Sequence, residues 1–347
     1  MITLANKLWA GLLGLSLLLA ACAPVQAPAA QPVTKASSAP QTTTGYPVTV
    51  QDCNGRSTTY DKAPERVVTF DPSVVESLLL LGLKDRIAGY TDFQTPEQRW
   101  VPTKADMDAL KRINDGTNYP SKEAVVALSP DLVMSIYPSA LLNNATLPNR
   151  DGWAKLGVKS YLTQSGCDQG TTPRTDLSLL YTDLRNFGLI FGVQDRAEAE
   201  ITKLQARVEA LQAKAKAAGL KPLTIWTYSG EDDPYPAGAV NTANAIITLA
   251  GAKNAFADLL KSWDTVSWEE VVTRNPDVIW LMTAAGSGYI EEAEGIKQKL
   301  AADPRLTNVT AVRNAAYVIV SYNEGGVASP RNVDAIEHMI DGLIALK

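Results

Sequence analysis

Nucleophilic and general-base chemistry has little to work with in this sequence. Its 347 residues hold a single histidine, His338, three cysteines and no G-x-S-x-G elbow, whereas a nucleophile with its base and orienting group normally needs a placed imidazole. An exported enzyme is the remote reading, and no catalytic residue is assigned. Transition-metal sites want several His or Cys side chains; no CxxC is present, and no metal site is assigned either. What remains is recognition chemistry. Asp71, Tyr90, Asp92, Tyr137, Tyr228, Tyr322, Asn323 and Glu324 stand at the carboxyl ends of predicted strands, where open α/β sheets bind their ligands. Four of the 12 tyrosines fall there, each offering a flat apolar face and a hydroxyl, which suits a planar or bulky ligand. Packing is the competing role for each of them. The loop Glu231, Asp232, Asp233, Pro234 and Tyr235 is acidic; it reads as a solvated loop tip or as an overhang favouring a neutral or cationic ligand over a triply anionic one. Gly286-Ser287-Gly288 reads as a loop rather than a phosphate nest.

The elements that must hold these residues alternate short β-rich runs with helical ones from residue 65 onward, which argues for an α/β fold with mainly parallel strands. Strands are predicted at 66–70, 86–90, 131–136 and 159–162, then at 223–228, 277–282 and 316–320. Leu-rich helices at 73–81 and 242–250 are each stopped by a glycine, Gly82 and Gly251. Between the halves, Ile201, Leu204, Val208, Leu211 and Ala215 recur at steps of three and four, the stripe of one amphipathic helix over 195–218. At 1.5 Å per residue it spans roughly 36 Å, enough to join two lobes as a strut.

One stretch occurs twice. Ser121, Glu123, Val125, Val126, Pro130 and Asp131 return 146 positions later as Ser267, Glu269, Val271, Val272, Pro276 and Asp277. The period is too long for a solenoid and fits a duplicated lobe, with the space between lobes as the place to look for a ligand. Each serine is placed as an N-cap with a carboxylate in the first turn, where the helix dipole favours negative charge. Glu270, three residues after Ser267, reads as completing a capping box. Glu123 and Glu269 have no such local task and form a matched pair on the two halves, serving either the helix dipole or a partner.

The ends add a compartment. Lys7, an apolar run over 8–19 and then Leu19-Ala20-Ala21-Cys22 read as an export signal; the run of about 12 apolar residues is short of the roughly 20 a spanning helix needs. Residues 23–44 are Ala, Pro, Gln, Thr and Ser with no apolar periodicity, a flexible tether. The expected organisation is a leader over 1–21, a tether over 22–44, a first lobe over 45–194, a connecting helix over 195–219 and a second lobe over 220–347. Without Lys7 the charge is −6, from 31 basic and 37 acidic residues, so nucleic acid is not an expected partner. Cys53 and Cys167, in an exported chain, are read as a disulfide, with two buried free thiols as the alternative; a bridge would close a loop worth on the order of 4 kcal/mol on the chain-entropy model.

These stretches together resemble the substrate-binding lipoproteins of ABC importers, in the class whose two lobes are joined by a helical backbone and which serves ferric siderophores, cobalamin and haem. The resemblance is carried by Ala63-Pro64-Glu65-Arg66-Val67-Val68-Thr69, by 76–82, by the repeat from Glu123, by 250–258, by 269–279 and by Ala328-Ser329-Pro330-Arg331, in the family's order over about 46–347. It implies two Rossmann-like lobes with a ligand cleft between them, acylation of Cys22 after the lipobox, and a monomer anchored on the extracytoplasmic side of the cell membrane. It also implies delivery of a small-molecule metal chelate of the ferric-siderophore type to an ABC permease and its ATPase, with cobalamin, another corrinoid or haem as alternatives. Glu123 and Glu269 match the glutamates that dock on permease arginines. Trp263 aligns with a cleft tryptophan of the hydroxamate and cobalamin binders, and Tyr137 falls where the hydroxamate binder uses a tyrosine. Thr117 stands near where that binder has an arginine, so hydroxamate specificity does not carry over. The expected ligand contacts are Asp71, Tyr90, Tyr137, Tyr228, Tyr235, Trp263, Tyr322 and Glu324.

Overall fold

The computed structural model describes residues 45–94, 98–114, 119–167, 172–283 and 289–347. Cys22 with the leader and tether, Thr117, and Gly286-Ser287-Gly288 lie outside the described residues.

After an N-terminal hairpin of β1 (Val48–Gln51) and β2 (Ser57–Tyr60), the chain builds two sheets. The first contains β3 (Val67–Thr69), β4 (Ile87–Tyr90), β5 (Leu132–Ser135) and β6 (Lys159–Leu162), in the order β4-β3-β5-β6. The second contains β7 (Thr224–Tyr228), β8 (Lys253–Asn254), β9 (Val278–Leu281) and β10 (Tyr317–Ile319), in the order β10-β9-β7-β8. Every ladder in both sheets is parallel. Counted within its own half, each sheet runs second, first, third, fourth, so the duplication extends from eleven residues to a whole topology. In this order the chain leaves the first strand in opposite directions, and ligands bind at that switch point.

The repeated stretch shows how a few residue types dictate that topology. Ser121 Oγ accepts from the Ala124 amide at 3.2 Å and Ser267 Oγ from the Glu270 amide at 3.1 Å, starting a short helix in each lobe. Val125 and Val271 anchor those helices in the core with no exposed surface. Ser129 and Asn275 then turn the chain with φ of 48° and 44°, and the following proline cannot continue a helix. Asp131 accepts from the Arg66 amide at 3.0 Å and Asp277 from the Thr224 amide at 2.8 Å. Each carboxylate thus fixes the start of the neighbouring first strand, one step before the registers Val67 to Leu132 and Ile225 to Val278. The expected capping box at Glu270 is only half formed. Its amide binds Ser267, but its carboxylate goes to Arg274 one turn on, at 2.6 Å, because the cation offers a stronger partner than a backbone amide.

The amphipathic stripe forms a helix over Gln194–Ala217. Its buried Ile201, Leu204, Val208, Leu211 and Ala215 belong to one apolar cluster that continues from Val67 and Leu132 of the first lobe to Ile225, Val278 and Ile336 of the second. Fully burying side chains of this size contributes roughly 1.5–3 kcal/mol each. Ion pairs flank the stripe: Glu198 holds Arg185 of the first lobe, while Arg207 and Lys214 hold Asp334, Glu337 and Asp341 on the final helix. Gly82 and Gly251, at φ of 65° and 82°, supply the left-handed residue after their helices. Cys53 and Cys167 are joined, their Cα atoms 5.7 Å apart, tying the hairpin turn to the loop after β6.

Candidate ligand-binding site

A crevice of about 130 Å³ opens between the carboxyl ends of β5 and β6 and the second lobe. The first lobe contributes Ile136 and Tyr137, which continue β5, and Ser165 and Gly166, which follow β6. The second contributes Asn241 and Thr242 at the start of the Thr242–Leu249 helix, Ser262 and Trp263, and Tyr322 after β10. Arg174, with Gly326, Val327 and Ala328, completes the wall.

The aromatic side is continuous. Tyr235 stacks on Trp263 with centroids 5.9 Å apart and planes at 14°, and Trp263 meets Tyr322 at 6.4 Å. Tyr322 and Tyr137 line the crevice from the two lobes, so the row crosses from one lobe to the other. Burial, reinforced by the Tyr322 hydroxyl, raises the Tyr137 hydroxyl well above its ordinary range, and burial also raises Tyr322. Both are neutral hydrogen-bonding groups at physiological pH. Arg174 is the one charged side chain among the described lining residues, and no carboxylate is among them.

Of the expected contacts, Tyr137, Trp263 and Tyr322 meet at this crevice, and Tyr235 joins them as the outer face of Trp263. The others do not. Tyr90 is in the core, its hydroxyl donating to Met107 O at 3.0 Å. Tyr228 packs between Trp226 and Trp268 and donates to Glu231 O at 2.6 Å. In both, the alternation of the strand turns the ring into the lobe instead of toward its end. Asp71 caps the Pro72–Leu80 helix through the Val74 amide and also accepts from the Ile136 amide at 2.8 Å. Its side chain is wholly buried, and burial pushes its carboxyl up to about 6. Glu324 turns away to His338, with Oε2 3.3 Å from Nδ1. The acidic loop is likewise occupied elsewhere, Asp232 meeting Lys299, so only its Tyr235 reaches the aromatic row.

Sequence reasoning missed Ser165, Gly166, Arg174, Asn241, Thr242 and Ser262. Asn241 was legible as a helix cap, since its side chain accepts from the Ala243 amide at 2.8 Å, but capping gives no hint of a cleft. Arg174 belongs to no motif and no regular element.

Outside the crevice, Glu123 and Glu269 are both exposed, each in the first turn of its repeated helix. Neither side chain forms a hydrogen bond or an ion pair within 4 Å among the described residues, whereas the adjacent Glu270 is taken up by Arg274. No helix among the described residues is long and apolar enough to cross a membrane.

Two duplicated lobes facing each other across an aromatic crevice, braced by one long helix, define a bilobal solute-binding protein. The comparisons agree. An uncharacterised ABC transporter substrate-binding lipoprotein of Bacillus subtilis, YvrC, is 25% identical over 340 residues, covering 97% of this chain and 96% of its own. A cobalamin-binding protein of Halobacterium salinarum is 27% identical over 322 residues, covering 91% and 79%. Among solved structures, a periplasmic binding protein from Veillonella parvula superimposes with a TM-score of 0.76 at 26% identity, over 86% of this chain and 98% of that one. One described as an ABC-type Fe3+-hydroxamate transport system from Saccharomonospora viridis shares the fold, with a TM-score of 0.70 at 24% identity over 86% and 99%. The chain belongs to the periplasmic binding protein family, whose model it matches over residues 67–320. It is an ABC transporter substrate-binding protein rather than an enzyme.

Proposed function

We propose that this substrate-binding protein is a lipoprotein, held on the extracytoplasmic face of the cell membrane by acyl chains on Cys22, that delivers a ferric-siderophore-type chelate to an ABC permease and its ATPase. One observation carries the ligand class: Tyr137, Trp263 and Tyr322 wall the crevice, Arg174 borders it, and no carboxylate is among its described lining residues. Aromatic faces take up the apolar body of a bulky chelate, and a guanidinium complements its anionic oxygens. The enclosed space of about 130 Å³ is below the roughly 300–1,000 Å³ of ordinary ligand pockets. The chelate is accordingly gripped between parted lobes with some of its surface in solvent. Glu123 and Glu269 are the docking contacts, one per lobe, exposed and without an ion-pair partner among the described residues. The protein works as a monomer on its tether.

A corrinoid is the second reading, favoured by the similarity to the Halobacterium salinarum cobalamin-binding protein. Tryptophan fluorescence and thermal shift on the non-acylated mature chain separate the two, with ferrioxamine B, ferric enterobactin, ferric citrate, haemin and cyanocobalamin as probes. A ferric siderophore at 100 times its dissociation constant adds about 2.7 kcal/mol of stability, and iron held by a weak chelator adds none. A response to cyanocobalamin alone moves the assignment to corrinoids, one to haemin alone moves it to haem, and silence across all five sinks the class.

A further inference from the structure

Arg174 belongs to both lobes at once. Its amide donates to Ala239 O at 2.8 Å and its carbonyl accepts from Asn244 Nδ2 at 2.8 Å, so its backbone lies on the second lobe. Its guanidinium reaches back to the first, Nη2 donating to Cys167 O at 2.9 Å and Nη1 to Ser165 O at 3.4 Å, while Nη1 also lies 3.5 Å from Thr242 Oγ1. The acceptors on the first lobe are carbonyls of the short segment 165–167, which lines the crevice through Ser165 and Gly166.

Two separate devices fix that segment. Its front is held by the buried Asp183, which accepts from the Gln164 amide at 2.6 Å, the Ser165 amide at 3.1 Å and Ser165 Oγ at 2.7 Å. Its end is held by the bond from Cys167 to Cys53, in the turn of the N-terminal hairpin. Gly166 sits between them against the β5 end, where an added Cβ would meet Ile136 O at 2.1 Å. The carbonyl that receives Arg174 Nη2 is that of the bridged cysteine itself.

We infer that the Cys53–Cys167 disulfide is a positioning element of the ligand site: it fixes the Cys167 carbonyl, and thereby the direction in which Arg174 presents its guanidinium to the crevice. Neither cysteine is among the described residues that line the crevice, so the bridge acts through Arg174. A bridge that only staples the hairpin would change stability and leave the guanidinium where it is. The part of the inference that concerns affinity rests on the ligand reading above, whereas the part that concerns Arg174 does not.

The test follows the Arg174 side chain by NMR on arginine-labelled mature protein, its Nε–H and Nη–H signals assigned by their loss in Arg174→Lys. In the bridged protein the Nη–H signals are expected to be resolved, because bonds to two carbonyls slow rotation about Nε–Cζ. In Cys53→Ser/Cys167→Ser they should merge as rotation speeds by about tenfold or more. The Gln164 and Ser165 amides, held by Asp183, should keep their shifts and report that the lobe is folded. If the double variant does not fold, reducing the bridge in the folded wild-type protein with a phosphine gives the same reading. Unchanged Arg174 signals without the bridge overturn the inference. With ferrioxamine B, ferric enterobactin or ferric citrate, whichever binds, affinity should fall by about tenfold on loss of the bridge. Unchanged affinity overturns the claim on the ligand site; if none of the three binds, the proposed ligand class fails while the Arg174 signals still decide the inference.

Discussion

Glu76, buried in the Pro72–Leu80 helix of the first lobe, is gripped by Arg331 at the head of the final helix of the second, 255 residues further on. Arg331 Nε lies 3.0 and 2.9 Å from the two carboxylate oxygens and Nη2 completes the fork. The remaining donors go to Gln98 O at 2.7 Å and Gln94 Oε1 at 3.0 Å. Both side chains are nearly inaccessible, at 1% and 4%, so the pair is a pin between the lobes rather than a surface ion pair.

Removing one partner leaves the other charge buried. Glu76→Leu is expected to cost about 3–5 kcal/mol in urea unfolding, and the double change Glu76→Leu/Arg331→Met to recover most of it, because a packed apolar pair avoids the desolvation that the charges incur. A loss below about 1 kcal/mol for the single variant would be the cost of an exposed pair and would contradict the burial.

Trp263 is the centre of the aromatic row, between Tyr235 and Tyr322. Trp263→Ala should weaken binding of the responding chelate by about thirtyfold or more, as truncation of a central aromatic contact does. Tyr228→Phe is the matched control at a strand end. Its ring stays in the core and only the bond to Glu231 O is lost, so affinity should hold while stability drops by about 1 kcal/mol. Equal effects of the two on fluorescence titrations would put the site elsewhere.

The contrast between these two residues marks how far the sequence could be read. Apolar runs such as those that follow Asp131 and Asp277 located seven of the eight parallel strands among the described residues to within a residue or two, because parallel strands buried on both faces are mostly apolar, while β8, only Lys253–Asn254, was missed. The hairpin with β1 and β2 escaped, its Ser-Thr-Thr-Tyr edge being too polar and too short to stand out. At the strand ends the sequence offered tyrosines but not their direction. A one-residue change in where a strand stops decides whether a ring enters the lobe, as Tyr90 and Tyr228 do, or faces the cleft, as Tyr137 does. Arg174 was invisible for another reason: its place comes from carbonyls of two lobes, and carbonyls have no sequence.

Glu123 and Glu269 separate docking from folding. Charge reversal to Lys at both should abolish uptake by cells carrying the permease while ligand affinity is unchanged. Loss of the favourable charge at the two helix starts should cost no more than about 1 kcal/mol each. Glu270→Lys, whose wild-type carboxylate is spent on Arg274, should leave uptake intact. Normal uptake by the doubly reversed protein would assign both glutamates to their helices alone.

His338 provides a pH probe remote from the cleft, since it is the chain's sole histidine. The Glu324 carboxylate, with Asp334 and Glu337 on the same helix adding, raises its pKa above the ordinary 6.5 against the opposing effect of partial burial. A histidine raised on folding binds its proton more tightly in the native state. Its contribution is therefore complete below pH 6.5 and is lost as pH rises through the folded value. With a side chain 53% exposed, the amount is held to less than about 1 kcal/mol by solvent screening. Urea midpoints taken from about pH 5.5 to about pH 8.5 should fall by that much more in the wild type than in Glu324→Gln. In the same variant the imidazole NMR titration should move back down toward 6.5. Because Glu324 is spent on this pair, Glu324→Gln should bind the chelate as tightly as the wild type. An unmoved titration with weakened binding would return Glu324 to the ligand site.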